Sequence, residues 1–119
     1  MNIKTKLVPI TWLHGIPHGH SCGYVGVPAG HPWHGLDYYG TTLVGDITIH
    51  GGVTWADDYV PHQPDCDSAL GYWWVGFDTA HARDNATRCN ESYCRAELDS
   101  LTKQAVNAAL GCVCTIEPL

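Results

Sequence analysis

The chain has 119 residues, 45% of them apolar and only 15% charged, with a formal net charge of −6. This length fits one domain over residues 1–119, and so apolar a chain buries enough surface to offset its ordering entropy, which excludes a disordered tail. The acidic balance argues against general nucleic-acid binding, which needs a basic face to displace counterions, and no apolar run reaches bilayer length, so no membrane partner is expected.

The first residues, MNIKTKLVPITWLHG, open like a signal-peptide n-region with Lys4 and Lys6. Pro9, Thr11 and His14 interrupt the apolar stretch, and no small-residue cleavage site follows. The expected location is the cytoplasm (of the host cell for a phage-encoded chain). The cysteines are Cys22, Cys66, Cys89, Cys94, Cys112 and Cys114, with no C-x-x-C pair. In a reducing compartment they read as free thiols; three disulfides are the alternative in an oxidising one.

The first 40 residues, rich in Gly, Pro and His, read as loops around short strands. One strand is CGYVGV at 22–27, stopped by Pro28. Residues 43–50, LVGDITIH, put Leu43, Ile47 and Ile49 on one face and Asp46, Thr48 and His50 on the other, the pattern of a half-buried strand. Gly51 and Gly52 break or bulge it, and Val53 to Trp55 continue it. Residues 56–70, with Pro61, Pro64 and acids at 57, 58, 65 and 67, read as a surface loop. The run GYWWVGF at 71–77 predicts a central strand covered on both faces, with Trp73 and Trp74 on opposite sides. Asn90 is a natural N-cap, and Cys94, Leu98, Leu101, Ala105 and Ala108 form a helical apolar stripe ending at Gly111. CVCTI at 112–116 then predicts a last strand with Cys112 and Cys114 on one face. The expected fold class is α+β: a small antiparallel or mixed sheet with one long C-terminal helix packed on it.

Polar groups at strand ends mark the place for chemistry. His50 closes one strand ahead of two glycines; Asp78 closes another ahead of His81 and Asp84. If the two strands are neighbours, Asp78 fixes the tautomer of His50 and raises its basicity, giving a catalytic set of His50, Asp78 and His81. The plainer reading has Asp78 capping the following turn and His50 bonding a backbone carbonyl. His31, Trp33, Gly51, Gly52, Thr54, Trp55, Arg83 and Asp84 are the candidate ligand-binding residues: the tryptophans stack a ring, the glycines leave room, and Arg83, with Arg88 nearby, offers an anion contact. Asp78, His81 and Asp84 at three-residue spacing would suit zinc or manganese, and His14, His18, His20 and Cys22 offer another set; neither spacing is a specific zinc signature, and the cofactor stays open. No P-loop, dinucleotide fingerprint, nucleophile elbow or H-E-x-x-H motif is present.

Three segments, HSCGYVGVPAGHPWHG at 20–35, DITIHGGVTW at 46–55 and WWVGFDTAHARD at 73–84, resemble a family of small, mostly uncharacterised phage and bacterial proteins. That family carries CGYVxVPxGHP, HGG(V/I/L)T and WxGFDxAHxxD elements. Cys22, Gly23, Tyr24, His31, Pro32, His50, Gly51, Gly52, Thr54, Gly76, Phe77, Asp78, His81 and Asp84 carry the match; residues 85–119 add nothing to it. The resemblance implies a phage-type accessory protein, an anti-defence protein by analogy of context.

Three functional readings follow. The first is a module that binds and sequesters a nucleotide-derived small molecule, such as a host immune signal, with a homo-oligomer completing the pocket. The second is a hydrolase acting on such a ligand through the His/Asp site, with or without a divalent metal. The third is a protein-binding inhibitor of a host defence enzyme, with exposed Trp and Tyr as the docking groups.

Overall fold

The computed structural model describes residues 2–38, 47–63 and 71–116, with backbone alone for 111–116. Four strands, β1 (Lys4–Pro9), β2 (Ser21–Val27), β3 (Trp55–Asp57) and β4 (Trp73–Phe77), precede one helix, α1 (Glu91–Ile116). The strands form an antiparallel sheet in the order β1-β2-β4-β3. The α+β class expected from the sequence is the one observed.

The central pair β2 and β4 is built on aromatic side chains lying across glycines. The register sets Gly23 against Phe77, Tyr24 against Gly76 and Gly26 against Trp74. A Cβ at Gly23 would stand 2.4 Å from Phe77 Cε1, and one at Gly76 would stand 2.3 Å from Tyr24 Cδ1. Each ring therefore occupies the space that a facing side chain would need. At the edge, β1 carries Lys4, Lys6 and Pro9, residues that discourage further strand pairing.

Alternation along the strands sorts side chains between two cores. On one face Val25, Val27, Val75 and Phe77 meet Leu98, Leu101 and Ala105 of α1. On the other, Val8, Ile10, Cys22, Tyr24, Val60 and Trp74 are covered by loops bearing Trp12, Leu13 and Tyr72. Trp73 packs against the first core and Trp74 lies in the second, so β4 is central and covered on both faces as its composition predicts. Burying a side chain such as Leu101 or Phe77 contributes about 1.5–3 kcal/mol.

The helix starts where expected. Asn90 Oδ1 accepts the Tyr93 N–H at 2.9 Å, and the Asn90 carbonyl accepts the Cys94 N–H at 3.0 Å. Cys94, Leu98, Leu101 and Ala105 are buried along one stripe. Its end differs from expectation: the helix runs through Gly111 to Ile116, so residues 112–116 are helical and not a strand. An interior glycine costs a helix only about 1 kcal/mol relative to alanine.

The expected strand at 43–50 is corrected at its described end. Ile47 is buried and Ile49 packs on the same core, so the alternation is right. However, residues 47–50 belong to no strand, because helix side chains take their backbone groups. Gln104 accepts the Thr48 N–H at 2.9 Å and donates to the Thr48 carbonyl at 2.7 Å, while Glu97 Oε1 accepts the His50 N–H at 2.8 Å. Residues 43–46 lie outside the described set. Pairing resumes at Trp55, so residues 55–57 are strand where 56 and 57 were expected to be loop; residues 64–70 lie outside the described set. Strand β1 falls in the N-terminal passage whose Lys4 and Lys6 resemble a signal-peptide n-region, a reading the interrupted apolar stretch argues against.

Candidate active site

The loop after β4 folds back on itself at residues 81–84, where the Asp84 N–H bonds the His81 carbonyl at 2.9 Å and Arg83 sits at φ 79°, a left-handed geometry uncommon for a non-glycine residue. That turn aims the Asp84 carboxylate inward. Its Oδ2 accepts the His81 N–H at 2.9 Å and His81 Nδ1–H at 2.8 Å. Both oxygens also accept His50 Nε2–H, at 3.0 Å and 3.1 Å. Burial works against ionisation of Asp84, but the His81 amide and the two imidazoles prevail and hold its carboxyl down at about 2. One carboxylate thus orients two imidazoles, which stand edge to face at 5.4 Å.

His50 is fixed from the helix as well. With Nε2–H turned to Asp84, its Nδ1 pairs with the Tyr93 hydroxyl at 2.7 Å and accepts from it. His81 is the reverse: Nδ1 donates to Asp84, leaving Nε2 as a lone-pair acceptor. The turn carrying His50 closes with the Gly52 N–H on the Ile49 carbonyl at 2.9 Å, with Gly51 at φ 67°. A Cβ at Gly51 would lie 2.3 Å from His81 Cε1, so this glycine makes room for the His81 ring.

Cys89 completes the group. It is buried, with Sγ 3.7 Å from Asp84 Oδ1 and 3.9 Å from His50 Nε2. Burial and the neighbouring Asp84 push its thiol above the usual range. The backbone of residues 18–20 locks this corner: the Gly19 N–H bonds the Thr79 carbonyl at 2.7 Å, and the His20 N–H bonds the Cys89 carbonyl at 2.8 Å. The cluster opens to a cleft of about 400 Å3 lined by Ile16, Pro17, His81, Arg83, Asp84 and Asn85, among others. The His81 side chain is 33% exposed against 9% for Asp84, so His81 stands at the rim and Asp84 at the floor.

The sequence candidates divide among three places. His50, Gly51, His81, Arg83 and Asp84 converge here, and Gly52 shapes the same turn. The carboxylate paired with His50 is Asp84, not Asp78. Asp78 Oδ1 accepts the Ala80 N–H at 2.9 Å, capping the turn, and stands 3.7 Å from His81 Nδ1. Asp78, Thr54 and Trp55 line a second cavity of about 340 Å3 with Cys22, Tyr24 and Trp12. That cavity lies on the sheet face away from the helix. His31 and Trp33 are buried and line neither cavity. His31 Nδ1 accepts the Trp33 N–H at 3.0 Å and its Nε2–H donates to the Ala105 carbonyl at 2.8 Å, so both ring nitrogens are used by the fold. Arg88 is exposed beside the helix start. The two metal sets suggested by spacing do not assemble; among the described residues the convergent donors are His50, Asp84 and Cys89. Cys22, Cys89 and Cys94 are buried and unbridged.

Cys89, Tyr93 and Glu97 were not singled out for the site by sequence reasoning. Tyr93, Glu97 and Gln104 each stand one position before a stripe residue, namely Cys94, Leu98 and Ala105. Polar side chains flanking an apolar stripe on one side are the signal that a chain segment docks there.

Comparison of the chain with protein-family models, with curated proteins and with solved structures returns no match.

Proposed function

We propose that the protein hydrolyses a small phosphate-bearing, nucleotide-derived molecule in the Asp84 cleft, with His81 as general base. The observation that supports this most is one ionised carboxylate holding two imidazoles in fixed tautomers at the wall of a cleft. His81 Nε2 takes a proton from water as the hydroxyl adds to phosphorus; Asp84 stabilises the imidazolium, which then returns the proton to the leaving oxygen. Such a positioned base is worth about 10²–10⁴ in rate. Arg83 at the rim, with no ion-pair partner among the described residues, supplies the charge that binds the phosphate in an otherwise acidic chain. The resemblance of the three sequence segments to phage accessory proteins supports a host signalling nucleotide as the substrate class.

The test is to incubate the purified protein with cyclic dinucleotides and NAD-derived signals, denature it by heat and analyse the nucleotides. The hydrolytic reading predicts altered nucleotide, with conversion lost in His81→Ala. Intact nucleotide released from heated protein would replace hydrolysis by sequestration. No interaction with any of these nucleotides would overturn both and move the function to a protein partner.

A further inference from the structure

The same corner has a second chemical property, independent of proton transfer. His50 Nε2, Asp84 Oδ1 and Cys89 Sγ all lie within 4.8 Å of one another. Their separations are 3.0 Å for nitrogen to oxygen, 3.7 Å for sulfur to oxygen and 3.9 Å for sulfur to nitrogen. A tetrahedral zinc ion at ordinary Zn–N, Zn–O and Zn–S bond lengths spreads its donors about 3.3–3.6 Å apart. The three donors therefore stand within a few tenths of an ångström of the edges of a coordination tetrahedron.

The way the donors share His50 decides between two uses of a cysteine, a histidine and a carboxylate. A nucleophilic triad needs the thiol on one imidazole nitrogen and the carboxylate on the other. Here both face Nε2, and Nδ1 is taken by the Tyr93 hydroxyl at 2.7 Å. Convergence on one point is the geometry of coordination.

We propose that His50 Nε2, Asp84 Oδ1 and Cys89 Sγ bind one thiophilic divalent cation, zinc by preference. Thiolate and imidazole favour zinc over magnesium or calcium, and the carboxylate completes a mixed set that zinc accepts. Supporting contacts are already in place. The Tyr93 oxygen stands ready to accept from His50 Nδ1–H, and Asp84 Oδ2, the oxygen turned away from the site, is held by the His81 amide and Nδ1. Loading the site moves the His50 proton from Nε2 to Nδ1, where Tyr93 accepts it, and releases the Cys89 proton to solvent. Three protein ligands supply three of the four positions of a tetrahedral zinc ion, and of the three only Asp84 lines the cleft. The inference rests on the same Asp84-centred site as the hydrolytic reading: the ion replaces the His50 Nε2–H on Asp84 Oδ1, and His81 stays on Oδ2.

The test titrates reduced, chelator-treated protein with Co²⁺ and then Zn²⁺. One Co²⁺ per chain is expected, with thiolate-to-cobalt charge-transfer absorption in the near ultraviolet that one equivalent of Zn²⁺ displaces. Cys89→Ser and, from a different loop, His50→Ala abolish that absorption, while the Cys112→Ser/Cys114→Ser double variant keeps it. Tyr93→Phe weakens zinc binding about 10–100-fold. Absence of Co²⁺ binding to the unmutated protein, or absorption that survives Cys89→Ser, overturns the proposal. Nucleotide conversion by chelator-treated protein that binds no Co²⁺ removes the metal and leaves the hydrolytic reading. Metal binding without conversion does the reverse.

Discussion

His50 and Asp84, 34 positions apart in the chain, meet through Nε2 and Oδ1 at 3.0 Å. Three elements bring them together: the glycine turn after residue 49, the left-handed Arg83 in the loop after β4, and the side chains of Tyr93 and Glu97 on α1. Asp84 is 8% exposed, so its charge is held by hydrogen bonds more than by water.

Acid sensitivity follows from that charge. The folded carboxyl is held at about 2, against 3.8 for an unperturbed aspartate. A depressed folded value stabilises the protein fully above pH 4, and this contribution is lost as pH falls from 4 toward 2. The contribution of Asp84 is on the order of 2 kcal/mol. Denaturant unfolding of metal-free protein at several pH values will show this decline, and Asp84→Asn will be less stable at pH 7 with a flatter acid limb. The same variant will lose about 10²-fold or more in nucleotide conversion, because the base loses its orienting partner.

The opposite sheet face sets the alkaline limit. Burial pushes the Cys22 thiol up to about 11 and raises the neighbouring Tyr24 phenol as well. A raised folded value for an acid stabilises the protein below the unfolded value of 9.0 and is lost as pH climbs through 11. Stability will fall by about 2–3 kcal/mol on this account across pH 9–11, and Cys22→Ala will show a shallower decline. The native thiol will also react slowly with alkylating reagents at pH 8, because little thiolate is present.

The two glycines after His50 act differently. Both have positive φ, 67° at Gly51 and 82° at Gly52, but only a Cβ at Gly51 meets the His81 ring; at Gly52 there is open space. Gly52→Ala will cost about 1 kcal/mol from backbone conformation alone and will keep its activity. Gly51→Ala will carry the same cost plus displacement of His81, and its conversion rate will fall. Equilibrium unfolding and steady-state rates on the pair separate the two effects.

Much of the fold is legible in the sequence where a period is strong. The continuous apolar run of β4, covered on both faces, and the stripe from Cys94 to Ala105 each match the residues the fold buries. Strand β1 was masked by Lys4 and Lys6, which suit an edge strand as well as a leader. The alternation at 47–50 correctly marks Ile47 as buried, but periodicity does not say what the backbone bonds to, and here it is Glu97 and Gln104. At the site, the loop after β4 was recognisable from the density of Asp and His. Which of Asp78 and Asp84 meets His50 depends on the turn at Arg83, which no local pattern encodes. His31 looked like a ligand group because a polar ring near glycines is ambiguous until its two nitrogens are accounted for.

The central claim is that Asp84 holds both imidazoles in fixed, opposite tautomers. Long-range ¹H–¹⁵N correlation spectra of the histidine rings in metal-free protein at neutral pH test it directly. The account predicts a protonated Nε2 with bare Nδ1 for His50, a protonated Nδ1 with bare Nε2 for His81, and loss of both preferences in Asp84→Asn. Rapidly averaging tautomers in the unmutated protein, or unchanged spectra in Asp84→Asn, would contradict it.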